Sequence, residues 1–439
     1  MNPVQEVDVV YFYEHAAREL DVACVITAML EHEYSLSVEI IHWPSGFSRV
    51  ENHLQPRLVV LPYCYAEENY TFMLAKWRRA MFFNAAWEQL FYPGNILSKT
   101  PHGHFAMEHV IHHSWSTHYS TYLGEQGLPG GRIFFNGQPA YTLYDEPYRN
   151  YFISRLGLST RHGLNPACRW ILFPENYNWA FYSDAKLSYF IDQGQSPQDV
   201  FAMRDFCKRS LAETMEWCAR LARNENFEVI VRPRPSTSMN EFLHAAKEIL
   251  SVVPSQMHFI QDGSVREWIL ASDIVISSYS TSLIEAAVAG KSTYMLEPYP
   301  IPGALRVEWH DHLPHIATYD EFLVRCTTVT GLDSTLGQWA RKTLMSNGDS
   351  IHRIADFIAQ LLCGRLVSPS LLSWKTIVPD LSYRQYIRLR KLYRGARYVL
   401  GIPKIEPVTP EYLKDVQRTE MIKDKIENWK DLLYASPQE

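Results

Sequence analysis

The sequence predicts an α/β protein with two Rossmann-like, doubly wound domains that face each other across a cleft, followed by C-terminal helices. Short apolar segments alternate with segments of helical periodicity along most of the chain, as in parallel α/β sheets. The alternation restarts at residue 169, after a polar stretch with Gly163 and Pro166. At 439 residues, the chain is too long for a single hydrophobic core. We therefore predict an N-terminal domain, a C-terminal domain and a helical tail over residues 1–165, 166–365 and 366–439.

The individual elements follow from the apolar periodicity of each segment. In the first half, strands are predicted at 7–13, 37–43, 57–63 and 131–137, with helices at 16–33, in part of 69–83, at 108–126 and at 148–157. In the second half, strands are predicted at 169–175, 227–233, 257–262, 273–278 and 292–298, with helices near 198–223, 239–250, 264–271, from 283, at 319–327 and within 333–363. Because parallel strands end at one edge of a sheet, the carboxyl ends of both sheets should line the cleft.

A strand, a hydroxyl-rich turn and a helix follow one another within ASDIVISSYSTSLIEAAVAGK, residues 271–291. Such a helix should begin with unpaired backbone N–H groups and the positive end of its dipole, which suit a phosphate. The candidate phosphate ligands are the hydroxyl residues of the turn: Ser278, Ser280, Thr281 and Ser282. Glu285, in the first helical turn, can reach a ribose hydroxyl, so we expect a nucleotide here. The alternative is that Ser280 or Thr281 only caps an ordinary helix.

FEVIVRPRP, residues 227–235, supplies two arginines to the same predicted site. Arg232 and Arg234 lie at the carboxyl end of an apolar strand, and prolines stiffen the exit from it. Since ligands bind at this edge of a parallel sheet, we expect both guanidinium groups to face the phosphate. The alternative is a solvated arginine pair on a loop.

Composition excludes several other classes of protein. The net charge of −6 argues against a general nucleic-acid binder. The seven cysteines are scattered without a CxxC pair, which indicates reduced thiols rather than disulfides or a zinc site. We see neither a signal peptide nor an apolar run long enough to span a membrane, so we predict a cytoplasmic protein.

Six segments resemble GT-B glycosyltransferases, and more narrowly the bacterial surface-carbohydrate proteins related to capsule-type and Kdo-type transferases and to CDP-glycerol glycerophosphotransferases. These segments are YFYEHAARE (11–19), NAAWEQ (84–89), YLGEQGLPGGRIFFNGQP (122–139), ILFPENYNWAF (171–181), VRPRP (231–235) and DIVISSYSTSLIEAAVAGK (273–291). The resemblance implies that the C-terminal domain binds a nucleotide-sugar donor, CMP- or UDP-linked, and that the N-terminal domain receives the acceptor. It also implies a role in surface polysaccharide, capsule or lipopolysaccharide biosynthesis. Related proteins often carry histidine at the position of Arg234, and arginine there keeps a phosphate contact but removes a titratable group.

Sugar transfer from a nucleotide requires stabilisation of a phosphate leaving group, by a metal or by fixed cations and dipoles. The sequence offers the second solution, and it contains no convincing Asp-x-Asp motif. We therefore expect no metal and no other cofactor. The histidines of PHGHF and VIHHSW lack the carboxylates and spacing of a metal site. We interpret them as surface or core residues: His102, His104, His112 and His113.

In the N-terminal domain, Glu14 and His15 follow the first predicted strand, and either is the first candidate for a general base. The alternative is that they cap the following helix. Glu88 is a further candidate catalytic group. The candidate acceptor-binding or sugar-binding residues are polar or aromatic: Arg18, Asn84, Trp87, Gln89, Glu175 and Asn176. A structural role remains open for Trp87, and a turn-forming role for Glu175 and Asn176.

Residues 381–404, LSYRQYIRLRKLYRGARYVLGIPK, carry seven basic residues and no acidic residue. Two interpretations are open. The segment either binds anionic lipid at the inner face of the membrane, bringing the enzyme to a lipid-linked glycan, or forms a solvated helix packed on the N-terminal domain.

Three other functions use the same predicted plan. A polyol-phosphate transferase of the CDP-glycerol type would move glycerol phosphate and should carry histidine at the base and phosphate positions. A non-hydrolysing nucleotide-sugar epimerase needs no lipid-directed segment. A catalytically inactive module would bind nucleotide without turnover.

Overall fold

The chain folds into two compact units, each built on a six-stranded parallel sheet. The computed structural model describes residues 4–43, 53–65, 73, 77, 79–93, 95–192, 194–235, 237–328, 334–345, 347–366 and 415–435. Unit 1 comprises Met1–Gln89, Ser98–Gly137 and Asp349–Glu439, and unit 2 comprises Leu90–Leu97 and Gln138–Gly348. The basic segment 381–404 lies outside the described residues.

The sheet of unit 1 has the strand order β2-β1-β3-β4-β5-β6. Its strands are β1 (Gln5–Tyr13), β2 (Val38–His42), β3 (Leu54–Leu61), β4 (Met81–Asn84), β5 (Val110–Ser114) and β6 (Ile133–Phe135). Its α-helices are α1 (Asp21–Tyr34), α2 (His104–His109), α3 (Thr117–Glu125), α13 (Ser350–Leu362) and α14 (Thr419–Tyr434), and a π-helical turn, Ala16–Leu20, precedes α1. The order of strands reverses between β1 and β3, which is where ligands bind in doubly wound sheets.

The sheet of unit 2 has the order β12-β11-β10-β7-β8-β9, which is the Rossmann arrangement with β7 as the first strand. Its strands are β7 (Arg169–Pro174), β8 (Phe227–Arg232), β9 (Met257–Phe259), β10 (Ile274–Ser277), β11 (Ser292–Leu296) and β12 (His315–Ile316). Its α-helices are α4 (Pro139–Thr142), α5 (Arg155–His162), α6 (Asp184–Asp192), α7 (Pro197–Leu221), α8 (Met239–Ile249), α9 (Val265–Ala271), α10 (Ser282–Val288), α11 (Tyr319–Thr327) and α12 (Thr335–Leu344). Short 3-10 turns occur at Leu97–Lys99, Gly130–Arg132, Tyr148–Tyr151, Asn178–Phe181, Gly303–Leu305 and Glu308–His312.

Three segments predicted as helices differ in the structure. Residues 108–126 contain strand β5 between two helices: the side chains of β5 are all buried, and its backbone pairs with both neighbouring strands. Met81–Asn84 forms β4 rather than the end of a helix, and most of 69–80 lies outside the described residues. Within 148–157 a 3-10 turn comes first, and the helix begins only at Arg155, where Ser154 caps it.

The division into units also differs from the predicted boundary at residue 165. Residues 138–165 belong to unit 2, where Tyr144 donates a hydrogen bond to Glu285 and Arg155 pairs with Asp273. Helix α13, predicted with the C-terminal domain, belongs to unit 1, since Phe357 stacks on Phe134 at a centroid distance of 3.9 Å.

Helix α14 packs along α1 in unit 1. Its buried residues Ile422, Ile426 and Trp429 recur at helical spacing and form one apolar face. At its polar margin, Lys425 pairs with Asp21 at 2.8 Å. The residues just before α14 are thereby held beside the end of β1. Within the described residues, the structure contains no helix with the length and apolar character of a membrane span.

Candidate active site

The first βα connection of unit 1 brings three predicted site residues together. Strand β1 ends at Tyr13, so Glu14 and His15 lie at the carboxyl edge of the sheet. The carbonyl of His15 then accepts from the amides of Arg18 and Glu19 at the start of the π-helical turn. π-Helical turns are rare in proteins, but those that occur are often found at functional sites. This one carries Arg18 beside the two residues that precede it.

The loop after β4 supplies the next part of the site. Ala86 has a left-handed backbone, with φ of 48°, which is uncommon for a residue other than glycine. Its amide donates to Asn84 Oδ1 at 2.9 Å, and this side-chain bond stabilises the turn. Trp87 and Glu88 follow directly, and the Trp87 amide donates to the Pro62 carbonyl at the end of β3. The backbone strain at Ala86 therefore fixes the direction of two predicted site residues.

These loops enclose a cavity of about 250 Å³ at the carboxyl edge of unit 1. Its lining residues come from the ends of β1, β3 and β4 and from one further turn: Glu14, His15, Arg18, Pro62, Tyr63, Tyr65, Trp87, Glu88 and Lys99. Five of the predicted site residues are therefore neighbours. The sequence analysis did not identify Lys99, which lies in a short 3-10 turn and gave no periodic signal.

Opposite charges alternate around the cavity. Arg18 donates to Glu88 Oε1 at 3.0 Å and to the buried Glu19 at 2.6 Å, and Lys99 forms an ion pair with Glu88. Glu88 is thus paired with two cations at once. Glu19, a residue that the sequence analysis missed, also accepts from the Glu14 amide.

The surroundings of Glu14 differ from those of Glu88. Its side chain is 15% exposed, and burial raises the pKa of this carboxyl above its ordinary value of 4.5. The neighbouring Glu19 raises that pKa further, whereas His15, Arg18 and Lys99 act in the opposite direction. A carboxylate with a raised pKa is a better proton acceptor near neutral pH. Of the two cavity carboxylates, Glu14 therefore has the chemistry of a general base.

Two predicted acceptor-binding residues have structural partners instead of facing the cavity. Asn84 is buried and contacts His112 Nδ1 through its amide nitrogen at 3.0 Å. Gln89 is also buried, donates to the carbonyls of Ala86 and His113, and accepts from the Trp115 amide. Their hydrogen bonds hold the β4 and β5 loops. Trp87 does line the cavity, and its buried indole N–H has no hydrogen-bond partner among the described residues.

The carboxyl edge of unit 2 carries a second cluster of predicted residues. Strands β10, β7 and β8 are neighbours, and Ser278, Glu175 and Arg234 follow their ends. Glu175 is fully buried, and its carboxylate accepts from the amides of Tyr177 and Arg234. Burial raises the pKa of Glu175, and these two amides and the nearby Arg234 charge lower it. Asn176 is half-buried beside it.

Arg232 and Arg234 differ sharply in their surroundings. Arg232 is 6% exposed, and its guanidinium donates to the carbonyls of Asp262 and Gly263. Burial lowers its pKa to about 10. The guanidinium of Arg234 is half-buried and has no ion pair or hydrogen bond with the described residues. To reach a phosphate, Arg232 would have to leave two carbonyls, whereas Arg234 would not.

In the predicted phosphate-binding turn, several backbone N–H groups already donate hydrogen bonds within the turn. The amides of Leu283, Ile284 and Glu285 donate to the carbonyls of Ser280 or Thr281. The amide of Ser282 donates to Ser280 Oγ at 3.3 Å, and Thr281 makes no side-chain cap. These amides are therefore not the unpaired donors that the sequence predicted.

Glu285 lies in the first turn of α10, as predicted, with a partner that the sequence did not indicate. Its Oε2 accepts from the Tyr144 hydroxyl at 2.7 Å. Tyr144 comes from the segment between the last strand of unit 1 and β7, so pattern analysis placed it in the other domain. One carboxylate oxygen of Glu285 is thereby fixed in direction.

The histidines occupy two environments. His112 and His113 are core residues of β5, hydrogen-bonded to the carbonyls of Ala106 and Ala85, and burial lowers the pKa of each to about 4. His102 and His104 are exposed. Among the described residues, potential metal ligands cluster once on α2, where ligand atoms of His104, Glu108 and His109 lie within 4.8 Å of one another.

No protein-family model and no curated protein matches this chain. Among solved structures, it is similar to a candidate UDP-N-acetylglucosamine 2-epimerase from Listeria monocytogenes, with 14% identity, a TM-score of 0.50, and coverage of 83% of this chain and 99% of that chain. It is also similar to a variant of the wall teichoic acid polymerase TagF, with 12% identity, a TM-score of 0.53, and coverage of 82% of this chain and 90% of that chain. A TagF crystal soaked with CDPG gives a TM-score of 0.51 at 12% identity, with the same coverage of both chains.

At these identities the likeness concerns the fold. Together with the two parallel sheets, it confirms the predicted α/β fold class, with two Rossmann-like units of the GT-B type. The roles of individual residues stay predictions.

Proposed function

We propose that the protein is a glycosyltransferase that moves a sugar from a CMP- or UDP-linked donor to a surface polysaccharide or lipid-linked glycan. The observation that carries this proposal is the cavity of unit 1, where the half-buried Glu14 lies among two cations and three aromatic side chains. A hydroxyl of the acceptor enters this cavity and gives its proton to Glu14. Tyr63 and Trp87 contact the apolar faces of the sugar.

The donor binds at the carboxyl edge of unit 2. Arg234 contacts a donor phosphate, because its guanidinium has no other partner among the described residues. When the bond between sugar and phosphate breaks, the charge that develops on the leaving phosphate is stabilised by this fixed cation. The buried Glu175 holds the backbone of Arg234 through its amide. No metal ion is required for this step.

A polyol-phosphate transferase is the second candidate, and the likeness to TagF favours it. In that reaction the same cation in unit 2 would hold the donor diphosphate, and the transferred group would be a polyol phosphate. His15 is available at the base position, whereas Arg234 occupies a position at which such enzymes are expected to carry histidine. The two candidates differ in the donor that they consume.

Nucleotide binding is the first test. Thermal unfolding should be recorded with UDP, CMP, GDP, CDP and their sugar or glycerol conjugates, since a ligand at 100 times its Kd stabilises the folded state by about 2.7 kcal/mol. We expect UDP or CMP and a matching conjugate to raise Tm. A selective response to CDP-glycerol would favour the second candidate, and no response to any nucleotide would refute both.

Turnover is the second test, with release of free nucleotide measured in the presence of glycan acceptors. Glu14→Gln should retain the nucleotide response and lose turnover, whereas Arg234→Ala should weaken the nucleotide response itself. Conversion of the donor sugar to an epimer without any acceptor would identify an epimerase instead.

A further inference from the structure

The residues just before α14 are fixed against the end of β1. The Tyr13 hydroxyl donates to the Asp415 carbonyl at 3.0 Å and accepts from the Gln417 amide at 3.1 Å. Behind them, Lys430 on α14 pairs with Glu31 on α1 at 2.8 Å. Asp415 therefore has a defined position beside the first βα connection of the candidate active site, although it lies 400 residues from His15 in the sequence.

The Asp415 carboxylate contacts two groups of the first βα connection. Its Oδ1 accepts from the Ala16 amide at 3.0 Å, and its Oδ2 lies 3.2 Å from His15 Nδ1. The side chain is only 15% exposed. An ionised carboxylate can only accept hydrogen bonds, so the imidazole nitrogen that faces it must carry the proton. The other ring nitrogen, Nε2, lies 3.7 Å from Glu14 Oε2.

We propose that Asp415 is a positioning residue that keeps a proton on His15 Nδ1, so that His15 Nε2 is the nitrogen that exchanges protons with Glu14. This inference rests on the proposed function, in which Glu14 receives the proton of an acceptor hydroxyl. The acceptor O–H bond breaks as its oxygen bonds to the sugar, the bond between the sugar and the donor phosphate breaks, and Glu14 gains the proton. That proton then passes to Nε2, directly after a small rotation or through one water. His15 becomes an imidazolium ion paired with Asp415, and Glu14 is again a carboxylate.

Asp415→Asn tests the inference because it preserves shape and reverses one hydrogen bond. The Ala16 amide can only donate, so the asparagine oxygen should remain on Ala16 and its NH2 group should face His15 Nδ1. That nitrogen must then accept, which moves the proton of the neutral ring to Nε2. Asp415→Glu retains a carboxylate and should retain the original tautomer.

The first measurement is NMR of the full chain labelled with ¹⁵N-histidine, with the His15 signal assigned from its loss in His15→Gln. We expect wild-type His15 to carry its proton on Nδ1 when neutral, and Asp415→Asn to carry it on Nε2. The signals of the other histidines report whether the variant keeps its fold. An Nε2-protonated ring in the wild type, or an unchanged tautomer in Asp415→Asn, would overturn the inference whether or not the protein is a glycosyltransferase.

The second measurement is turnover with the donor and acceptor found active. Asp415→Asn should lower kcat by about 10-fold or more with little change in KM, because proton transfer fails while binding persists. Lys430→Gln is the matched control, since it weakens the attachment of the same segment without touching His15. An equal loss of kcat in Lys430→Gln would assign the effect to attachment of α14 and overturn the positioning role.

Discussion

Replacing Arg232 or Arg234 by alanine should have different effects, although only Pro233 separates the two residues at the end of one strand. Arg232→Ala removes two charge-assisted hydrogen bonds to the carbonyls of Asp262 and Gly263. Each such bond contributes about 1.5–3 kcal/mol, and leaving a buried carbonyl unsatisfied adds to the loss. Burial of the guanidinium offsets part of this gain, as its lowered pKa of about 10 indicates. We expect the free energy of unfolding to fall by about 2–4 kcal/mol.

Arg234→Ala should change the free energy of unfolding by less than about 1 kcal/mol, since its guanidinium has no partner among the described residues. It should instead weaken nucleotide binding by about 1.5–3 kcal/mol, which is roughly 10- to 150-fold in Kd. The two quantities are separable: urea unfolding followed by tryptophan fluorescence gives the first, and calorimetry on folded protein gives the second.

The opposite pattern would refute this assignment. If Arg232→Ala kept its stability and lost nucleotide affinity, Arg232 would have to release its two carbonyls and contact the phosphate itself. Unchanged nucleotide affinity in Arg234→Ala would show that Arg234 does not contact the donor phosphate.

Three further predictions concern catalysis, metal and membrane. Glu14→Gln should lower turnover by roughly 10²-fold. It should also abolish a pH dependence of stability. Because the folded-state pKa of Glu14 is raised, the wild type loses stability as pH rises from 4.5 through that pKa, and Glu14→Gln does not. Urea titrations at several pH values measure this loss of stability, and parallel stability curves for the two proteins would contradict the prediction. Turnover should survive excess EDTA, and complete loss restored by Mg²⁺ or Mn²⁺ would reveal a metal site. Residues 381–404 should bind vesicles with anionic lipid at low salt, at about 1 kcal/mol per basic residue. Vesicle sedimentation should compare the wild type with a variant in which four residues are changed to glutamine: Arg388, Arg390, Lys391 and Arg394. Salt should release the wild type, and if both proteins stay in the supernatant at low salt, the segment does not bind membranes.

The sequence predicted strands well where β-branched residues form a continuous apolar run. In β8, residues 227–231 are apolar apart from Glu228, and a strand was predicted and observed there. In β5, His112 and His113 interrupt the run, so the segment resembled part of a helix. Their polar side chains can be buried because backbone carbonyls form hydrogen bonds with them. These carbonyls belong to neighbouring segments, so the local sequence does not indicate the hydrogen bonds.

The candidate site was predictable to the extent that it depends on strand ends. Glu14 was named because it follows an apolar strand, and Glu88 because it belongs to a polar group among aromatic residues; the structure brings both to one cavity. Lys99 and Asp415 could not be found in this way, since neither follows a strand of unit 1 directly. Conversely, Arg232 ends a strand, but the carbonyls that hold it come from a loop about 30 residues later.

The composition of unit 1 from three separate segments has a consequence for how the protein is made. The bond between Lys425 and Asp21 closes a loop of 404 residues. At a ribosomal rate of about 5–20 residues per second, β1 waits roughly 20–80 s for α14 to be synthesised. All of unit 2 emerges from the ribosome during that interval, so it can fold first. The nascent chain then holds Glu14 and His15 without Asp415, and the proposed proton relay is assembled only after α14 has been synthesised.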